Sequence, residues 1–443
     1  MNSQLKLHEM KKYFNAIFIA LIVSVLSNSA HAIPSFSRQT GIDCQACHEQ
    51  HMPLLNDFGQ SFKATGYRTM GKQSRVESEN LSIPDALNAS MLLKGRYQRS
   101  NGGDISGTIP GTTTNGGQWQ FPDEFSLFFG GRIADSIGFF FEGNTATPTL
   151  LSAFKLPAAI ELNDYNLSVI PFTTATLGAS YGYEQASTGA VRNITWALHG
   201  KDVSSQQYVG TDGAATGVSI VAINPLGYLN FTRWAPASMA KSGSAQVLHS
   251  TYLRIAATPR IDSSTFGEWT MHLGGQIWTG SNYAQSPTLS NTLVPVSTRA
   301  AALDFQAFGS VLDKDFAFYS TWSKSPAGSA TKPNILNVGG SFDPAKFHLN
   351  ERSAFTVGVD YSVIQNVLHV GAAFRSAKNG GMSGSLAILG NNFSDNAITL
   401  TSVYNLAQNI ELHANHSVYY GSLYDTAQPT GNLLTTIMLQ AAW

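Results

Sequence analysis

The sequence predicts an all-β protein: an antiparallel β-barrel of the outer-membrane type with about sixteen strands, preceded by a small N-terminal segment. Only 12% of the 443 residues are charged and 40 are glycine, whereas a soluble protein averages about 25% charged residues. Between residues 90 and 443, apolar and polar residues alternate with period two, and turns rich in Gly, Asn, Asp, Ser and Pro separate the alternating runs. In that part, no apolar run reaches the roughly 20 residues that a membrane-spanning helix needs.

The first 32 residues have the pattern of a secretory signal peptide. Lysines precede an apolar run over residues 16–26, and the small-residue sequence Ala30-His31-Ala32 follows as a cleavage site. A retained membrane anchor is the alternative, but the run is shorter than the roughly 20 apolar residues that span a bilayer. We therefore expect cleavage after Ala32 and an exported mature chain that begins at Ile33.

Residues 33–80 are predicted to form the N-terminal segment and its linker, and residues 81–443 to form the barrel. Within the segment, residues 54–64 fit a short helix that Gly66 ends as a C-cap. A charged and polar link then runs over residues 73–80. Beyond this link the alternation of a β-barrel begins.

Some of the predicted strands show the alternation with particular clarity. Their apolar positions are Phe355, Val357, Val359, Tyr361 and Val363; Trp269, Met271, Leu273 and Ile277; and Ile410, Leu412, Ala414, Val418 and Tyr420. The other predicted strands lie near residues 90–99, 125–133, 137–145, 151–159, 166–173, 193–199, 218–223, 228–234, 251–257, 300–309, 316–322, 367–374 and 396–404.

The connections between these strands are of unequal length. Short turns occur at 134–136 and 364–366, and long polar stretches at 101–117 and 377–394. Outer-membrane barrels have such short turns on the periplasmic side and long loops on the extracellular side. The chain ends on the aromatic residue Trp443, which looks like the terminal strand of such barrels. A large soluble β-sandwich is the alternative, but so few charges and so many outward aromatic residues would leave it poorly soluble.

Net charge and cysteine content exclude two further classes of protein. The net charge is −1, so nothing indicates a nucleic-acid partner. The chain has only two cysteines, which lie in a single cluster, whereas an exported protein with a disulfide framework spreads its cysteines along the chain.

Residues 44–48, with the sequence Cys-Gln-Ala-Cys-His, match the attachment motif of a c-type haem. In such a motif two thiols add across the porphyrin vinyl groups, and the next histidine is placed on the iron. A redox-active dithiol is one alternative, although it favours a βαβ context that this segment lacks. A zinc site that includes His51 is another, although structural zinc normally draws on two separated ligand pairs. The sequence predicts one covalent haem c on Cys44 and Cys47, with His48 as axial ligand of the haem iron.

The sequence offers Met70 as a candidate for the second axial ligand of the haem iron. His51 and Met52 lie too close to the proximal histidine to reach the other face of a haem, whereas Met70 lies farther along the chain. A methionine ligand would raise the reduction potential relative to bis-histidine ligation. Met70 as a plain packing residue, or a ligand from the barrel wall such as Met91 or His199, are the alternatives.

Further residues around the haem motif belong to a recognisable pattern. They are residues 34–41, Pro53, Leu54, Asn56, Phe58, Gly59, Phe62, Lys63, Gly66 and Tyr67, with weaker additions at 167–172 and 181–184. Together with the motif, this pattern resembles the N-terminal module of the fused monohaem cytochrome-porins of the outer membrane. Iron-oxidising bacteria use members of that family to take electrons from extracellular Fe(II).

The resemblance implies an electron-transfer protein of the Gram-negative outer membrane, with its haem segment in the pore or on the periplasmic side. Extracellular Fe(II) would be the donor and a periplasmic c-type cytochrome the acceptor, which is the activity of an iron:cytochrome c oxidoreductase. Gln60 departs from the pattern, because an arginine is expected there. If that arginine pairs with a haem propionate, Arg38 or Lys63 would serve here. Two alternatives are a conduit for another extracellular redox partner and a diffusion porin whose haem segment plugs or senses.

Overall fold

In a computed structural model, the chain folds into a closed antiparallel β-barrel. The structure describes residues 34–43, 46–48, 55–71, 73–79, 81–103, 115–145, 151–184, 204–237, 247–263, 267–285, 293–329, 331–337, 350–381, 392–425 and 431–443. The predicted signal peptide, residues 1–32, lies outside this part. None of the helices within it is long and apolar enough to cross a membrane.

The segment ahead of the barrel has two helices and a hairpin. These elements are α1 (Pro34–Thr40), α2 (Asp57–Ala64), β1 (Arg75–Ser78) and β2 (Leu81–Pro84). The hairpin begins inside the predicted polar link, and the first strand of the barrel wall begins at Ala89.

The remaining elements follow in chain order. They are β3 (Ala89–Ser100), β4 (Gln118–Ala134), β5 (Ile137–Asn144), β6 (Leu151–Lys155), β7 (Ala158–Leu162), β8 (Tyr165–Thr174), α3 (Ser205–Val209), β9 (Ala215–Asn224), β10 (Gly227–Ala235), β11 (Ser250–Ala257), β12 (Arg260–Ser263), β13 (Gly267–Thr279), β14 (Ser281–Gln285), β15 (Leu293–Ser297), β16 (Ala300–Val311), β17 (Lys314–Ser325), β18 (Arg352–Ile364), β19 (Leu368–Lys378), β20 (Asn396–Ala407), β21 (Ile410–Tyr420) and β22 (Leu433–Ala442). Single 3-10 turns lie at Ala179–Gly182, Ile335–Asn337 and Ser422–Tyr424.

The wall of the barrel has sixteen strands, as predicted. Eighteen strand segments form it, but β6 with β7 and β11 with β12 each fill one position, which leaves sixteen. Each position pairs with its neighbours in sequence, and β22 pairs with β3 to close the barrel. The predicted strand at 193–199 lies outside the described residues, and the wall closes without it because β8 pairs directly with β9. The strands β14 and β15 pair with each other in a loop.

The two faces of the wall differ as the alternation predicts. On β10 the side chains of Tyr228, Asn230 and Trp234 are buried on the inner face, while Leu229 and Phe231 are exposed on the outer face. The same division holds for the strands whose alternation is clearest in the sequence. A barrel with polar and aromatic residues inside and with aliphatic and aromatic residues outside presents an apolar surface to its surroundings.

The connections also divide as predicted. The short turns 135–136, 163–164, 225–226, 312–313, 365–367 and 408–409 lie at the end of the barrel where β3 begins and β22 finishes. We call this the turn end. The longer connections lie at the opposite end, which we call the loop end.

Candidate functional site

The second helix of the N-terminal segment is defined by its caps. The side chain of Asn56 accepts a hydrogen bond from the backbone N–H of Gly59 at 3.0 Å. At the other end, Gly66 has φ +75°, its N–H donates to Lys63 O, and the N–H of Tyr67 donates to Phe62 O. This pair of bonds ends a helix with a left-handed glycine. The predicted helix and its C-cap are confirmed, although α2 begins three residues later than predicted, at Asp57.

The haem-motif turn lies against the start of α2. The N–H of Asn56 donates to Cys47 O at 3.0 Å, and His48 forms a β-bridge with Leu55. A Cβ on Gly59 would lie 2.1 Å from Cys47 O, so only glycine allows the helix to approach the turn this closely. Cys47 and His48 are therefore fixed relative to α2. Cys44 lies outside the described residues.

The thiol of Cys47 is buried and free. Burial raises its pKa to about 11. In a redox-active dithiol the attacking thiol has a lowered pKa, and here that thiol would be Cys44, so the dithiol alternative stays open. For the zinc alternative, no group of three or more His, Cys, Asp or Glu residues able to hold a metal occurs in the described ranges, from which His51 is missing.

An aromatic cluster attaches the N-terminal segment to the inner wall. The ring of Phe36 lies 5.0 Å from that of Phe62 and 5.2 Å from that of Tyr67, and 6.1 Å from the inward-facing Phe140 of β5. The wall has glycines where the segment approaches. A Cβ on Gly130 would lie 2.9 Å from the Phe36 ring, and one on Gly138 would lie 1.8 Å from Gly66 O.

Polar contacts place the segment near the turn end. Asn166 Nδ2 on β8 donates to Ala64 O at 3.2 Å, and Arg68 donates to the carbonyl of Asp135 in a short turn. Helix α1 is held by the guanidinium of Arg38, which donates to the carbonyl of Ala89. The segment thus folds back into the barrel from the end at which the wall begins.

A loop from the opposite end also enters the lumen. It connects β8 to β9, and its described parts, 175–184 and 204–214, are largely buried. Ser205 Oγ on α3 donates to Thr321 Oγ1 of β17 at 2.9 Å, and the Tyr208 hydroxyl donates to Asp395 Oδ2 at 3.1 Å. This inward loop therefore reaches from its own strands to the facing side of the wall.

The N-terminal segment, the inward loop and the wall meet at one junction of cations and aromatic rings. Lys155 Nζ of β6 lies 5.6 Å from the Tyr67 ring and 4.5 Å from the Tyr181 ring, and donates to Tyr181 O at 3.2 Å. Lys63 Nζ lies 6.0 Å from the Tyr183 ring. Cations over aromatic faces are attractive contacts that strengthen when they are desolvated. The lysines thus link the segment to the loop.

Next to this junction is a buried set of charges. Arg254 Nη2 donates to Asp304 Oδ1 at 2.6 Å, and its Nη1 lies 3.9 Å from Glu184 Oε1 of the inward loop. Burial raises the pKa of Glu184 from 4.5 to about 7, against the opposing effect of Arg254 and then Lys63. Burial lowers the pKa of Lys63 to about 8, with Glu184 opposing that change.

These pKa shifts predict that the N-terminal segment undocks from the inner wall more readily as pH rises. Undocking would let water reach Glu184 and return its pKa toward 4.5, so Glu184 binds a proton more tightly in the docked state, and docking is strongest below pH 4.5 and weakens up to about pH 7. Lys63 has the opposite effect, but only above about pH 8. We expect the open fraction in single-channel recordings to rise between pH 5 and 7 in the wild type and to stay flat in Glu184→Gln. An equal slope in both proteins would contradict the assignment to Glu184.

The structure places the remaining predicted residues as follows. Arg38 and Lys63 each have a protein partner, at Ala89 and Tyr183, and their role toward haem propionates stays a prediction. Gln60 is buried and donates to Leu55 O at 3.0 Å. Met70 is partly buried beside Gly71, whose N–H donates to Gln39 O at 3.1 Å.

Two residues of the predicted wall, Met91 and His199, are the alternative distal ligands of the haem iron. Met91 is exposed on the outer face of β3, so it points away from the lumen and is wrong as a haem ligand. His199 lies outside the described residues. The junction residues Lys155 and Glu184 were not predicted as site residues, although 181–184 belongs to the pattern in the family resemblance.

No protein-family model matches this chain, and no curated protein matches it. Among solved structures, it is similar to outer-membrane OmpT of Vibrio cholerae, with 11% identity and a TM-score of 0.46 over 84% of this chain and 100% of that one. The outer-membrane channel DcaP of Acinetobacter baumannii matches with 12% identity and a TM-score of 0.46, again over 84% and 100%. OmpF of Salmonella typhi, in complex with daunomycin, matches with 10% identity and a TM-score of 0.45 over 84% and 100%. The barrel assignment itself rests on the strand pairing.

Proposed function

We propose that this protein is an outer-membrane electron-transfer protein, a c-type cytochrome segment fused to a porin-like barrel. One haem c is bound to Cys44 and Cys47 and ligated by His48, extracellular Fe(II) is the electron donor, and a periplasmic c-type cytochrome is the acceptor. The observation that carries the proposal is the position of the haem-motif segment: residues 46–48 and α2 belong to a unit seated on the inner wall of a closed barrel.

The outer surface of the barrel supports a membrane location. Exposed aliphatic residues recur along its strands, for example Leu229, Ile255, Leu303 and Leu400. A closed barrel satisfies its backbone hydrogen bonds internally and can therefore span lipid. The predicted signal peptide and the division into short turns and long loops agree with the outer membrane.

The residues around the motif turn fit a covalently held haem. Cys47 offers an unpaired thiol, and His48 is fixed beside it through the bridge to Leu55. Phe58, at the start of α2, is 45% exposed although it lies beside this turn. An apolar ring exposed next to attachment residues provides a surface that a porphyrin edge would cover. We propose Cys44, Cys47 and His48 as the holding residues and Phe58 as an apolar contact.

The inner wall supports a conduit for electrons rather than an open pore for solutes. Buried polar or charged side chains face the lumen from strands all around the barrel: Gln98, Ser126, Lys155, Ser168, Ser219, Asn230, Arg254, His272, Gln306, Ser323, Ser362, His369, Thr399, Ser417 and Thr436. An open diffusion pore needs water-exposed lining residues, whereas the N-terminal segment and the inward loop cover parts of this wall.

In this mechanism the chain positions and insulates the redox centre. Oxidation of each Fe(II) outside releases one electron, and the acceptor at the turn end takes up one electron. When bound, haem supplies the reversible one-electron exchange between them. The Phe36 cluster and the Lys155 contacts hold the segment in place, and the buried wall keeps bulk water away from it. A rigid, dry site lowers the reorganisation that accompanies a change of charge.

The proposal predicts that external Fe(II) reduces an acceptor that is enclosed in liposomes. Full-length protein, produced in a host that matures c-type cytochromes, is reconstituted with a soluble c-type cytochrome inside the vesicles. We expect a covalent haem spectrum from the purified protein before reconstitution, and Fe(II)-dependent reduction of the enclosed cytochrome that is absent from protein-free vesicles with the same contents. Absence of covalent haem from the purified protein would overturn the proposal. Covalent haem with entry of Fe(II) into the vesicles, reported by an enclosed Fe(II) chelator, would favour the porin whose haem segment plugs or senses.

A further inference from the structure

A cavity of about 440 Å³ opens at the loop end of the wall, where β13, β16 and β17 meet. Its lining consists of Ile277, Trp278, Thr279, Arg299, Ala300, Ala301, Lys324 and Pro326. Ile277 is exposed on the outer face of the barrel, so the cavity belongs to the side that faces lipid in the proposed membrane orientation.

The floor of this cavity follows from the strand register. Ile277 pairs with Ala301, and Ala301 pairs with Lys324, so these side chains form one row on the outer face. Alanine is small, while both of its neighbours in the row are long. The row therefore has a depression at Ala301, with an apolar wall on one side and an ammonium on the other.

Two cations border this apolar floor. Arg299 is held through its backbone, because its N–H donates to Asn334 Oδ1 at 3.1 Å and its carbonyl accepts from Asn334 Nδ2 at 2.9 Å. Among the described residues no carboxylate pairs with the Arg299 guanidinium. Lys324 lies 3.8 Å from Glu351, in an exposed ion pair that is weakly stabilising.

An aromatic residue indicates the level of the cavity along the membrane normal. Lys324 Nζ lies 5.9 Å from the ring of Trp322, which is exposed on the outer face one row closer to the middle of the strand. Outer-membrane barrels have aromatic residues at the level of the lipid headgroups. Arg299 and Lys324 thus lie at the height where lipid phosphates are found.

We propose that this cavity binds an anionic membrane lipid, with its phosphate on Arg299 and Lys324 and the start of an acyl chain over Ala301. Basic residues at the membrane surface attract anionic headgroups, and the apolar floor adds a contact that a free anion cannot use. The inference rests on the membrane-spanning barrel and is independent of the haem.

The test is native mass spectrometry of the full-length protein with added dioleoyl phosphatidylglycerol, dioleoyl phosphatidylcholine or inorganic phosphate. One variant combines Arg299→Gln with Lys324→Gln and removes both cations. The other, Ala301→Trp, fills the cavity and keeps both cations. Lys378→Gln is the matched control, because Lys378 is an exposed cation at the loop end of another strand. Retention of the folded barrel is checked for each variant by its heat-shifted mobility on a gel.

We expect the phosphatidylglycerol adduct to exceed the phosphatidylcholine adduct in the wild type and in Lys378→Gln. Loss of both cations should weaken binding of phosphatidylglycerol by about thirtyfold, at about 1 kcal/mol for each cation. Ala301→Trp should remove the phosphatidylglycerol adduct. Equal adducts in all variants would overturn the proposal. Binding of inorganic phosphate that competes with the lipid and survives in Ala301→Trp would overturn the lipid assignment in favour of an anion site.

Discussion

Replacing both Cys44 and Cys47 with alanine is expected to abolish the covalent haem completely. Thioether bonds require the two thiols, and the chain has no other cysteine that could substitute for them. The measurement is haem staining on a denaturing gel, together with the absorption spectrum after extraction in acidified acetone. Only covalently attached haem survives both treatments. Reduction of an enclosed cytochrome by external Fe(II) should be lost at the same time.

The control for this experiment is a variant in which an exposed histidine far from the motif is replaced. His416→Ala alters an exposed residue on the outer face of β21, far along the chain from the motif, and should keep full haem content. His48→Ala should shift the spectrum of whatever haem is attached, because the proximal ligand is lost. Haem content in the double cysteine variant equal to that of His416→Ala would rule out residues 44–48 as the attachment site.

The wall of the barrel could be predicted because the pattern that forms it lies within each strand and each short turn. Each strand places alternate side chains on opposite faces, so the burial of Tyr228 and Asn230 and the exposure of Leu229 can be read directly from their order. The short turns fix which strands are neighbours, since two residues between strands allow only a hairpin. The faces and the ends of the barrel follow from these patterns, although the wall closes without the predicted strand at 193–199.

The hairpin β1–β2 was not predicted because its residues carry no such pattern. All of β1 is exposed, and no face of it is buried against a core. A sequence without alternation of burial looks like a polar link whether or not it forms hydrogen bonds. Only the pairing of Arg75 with Pro84 through Ser78 with Leu81 distinguishes it from a linker.

The junction inside the barrel depends on contacts between residues far apart in sequence. Lys63 meets Tyr183, and Lys155 lies between Tyr67 and Tyr181. A long loop between two strands has no periodicity that reports whether it extends outward or folds into the lumen. The motif at 44–48 could therefore be recognised from sequence, but the sequence left two positions open for its segment, in the pore or on the periplasmic side.

Gly138→Val is expected to displace the N-terminal segment from the wall and open the barrel to ions. Even a single Cβ at this position would lie 1.8 Å from Gly66 O, and backbone on both sides leaves little room to adjust. Overpacking of this kind costs about 1–3 kcal/mol, which corresponds to a shift of about 5- to 150-fold in a two-state equilibrium. The measurements are single-channel conductance in planar bilayers and protease cleavage of the segment from the turn end.

Gly275→Val is the matched control for this effect, because it also adds two methyl groups and a Cβ to a strand glycine of the wall. Its Cβ would meet only Leu303 Cδ2 at 3.7 Å, an ordinary contact on the outer face, so the closed barrel should persist. Covalent haem should be retained in both variants, since neither touches the attachment residues. Low conductance and full protease protection in Gly138→Val would mean that the segment does not close the barrel by docking on β5. Conductance in Gly138→Val with closure in Gly275→Val would instead locate the closing contact at Gly66 and Gly138.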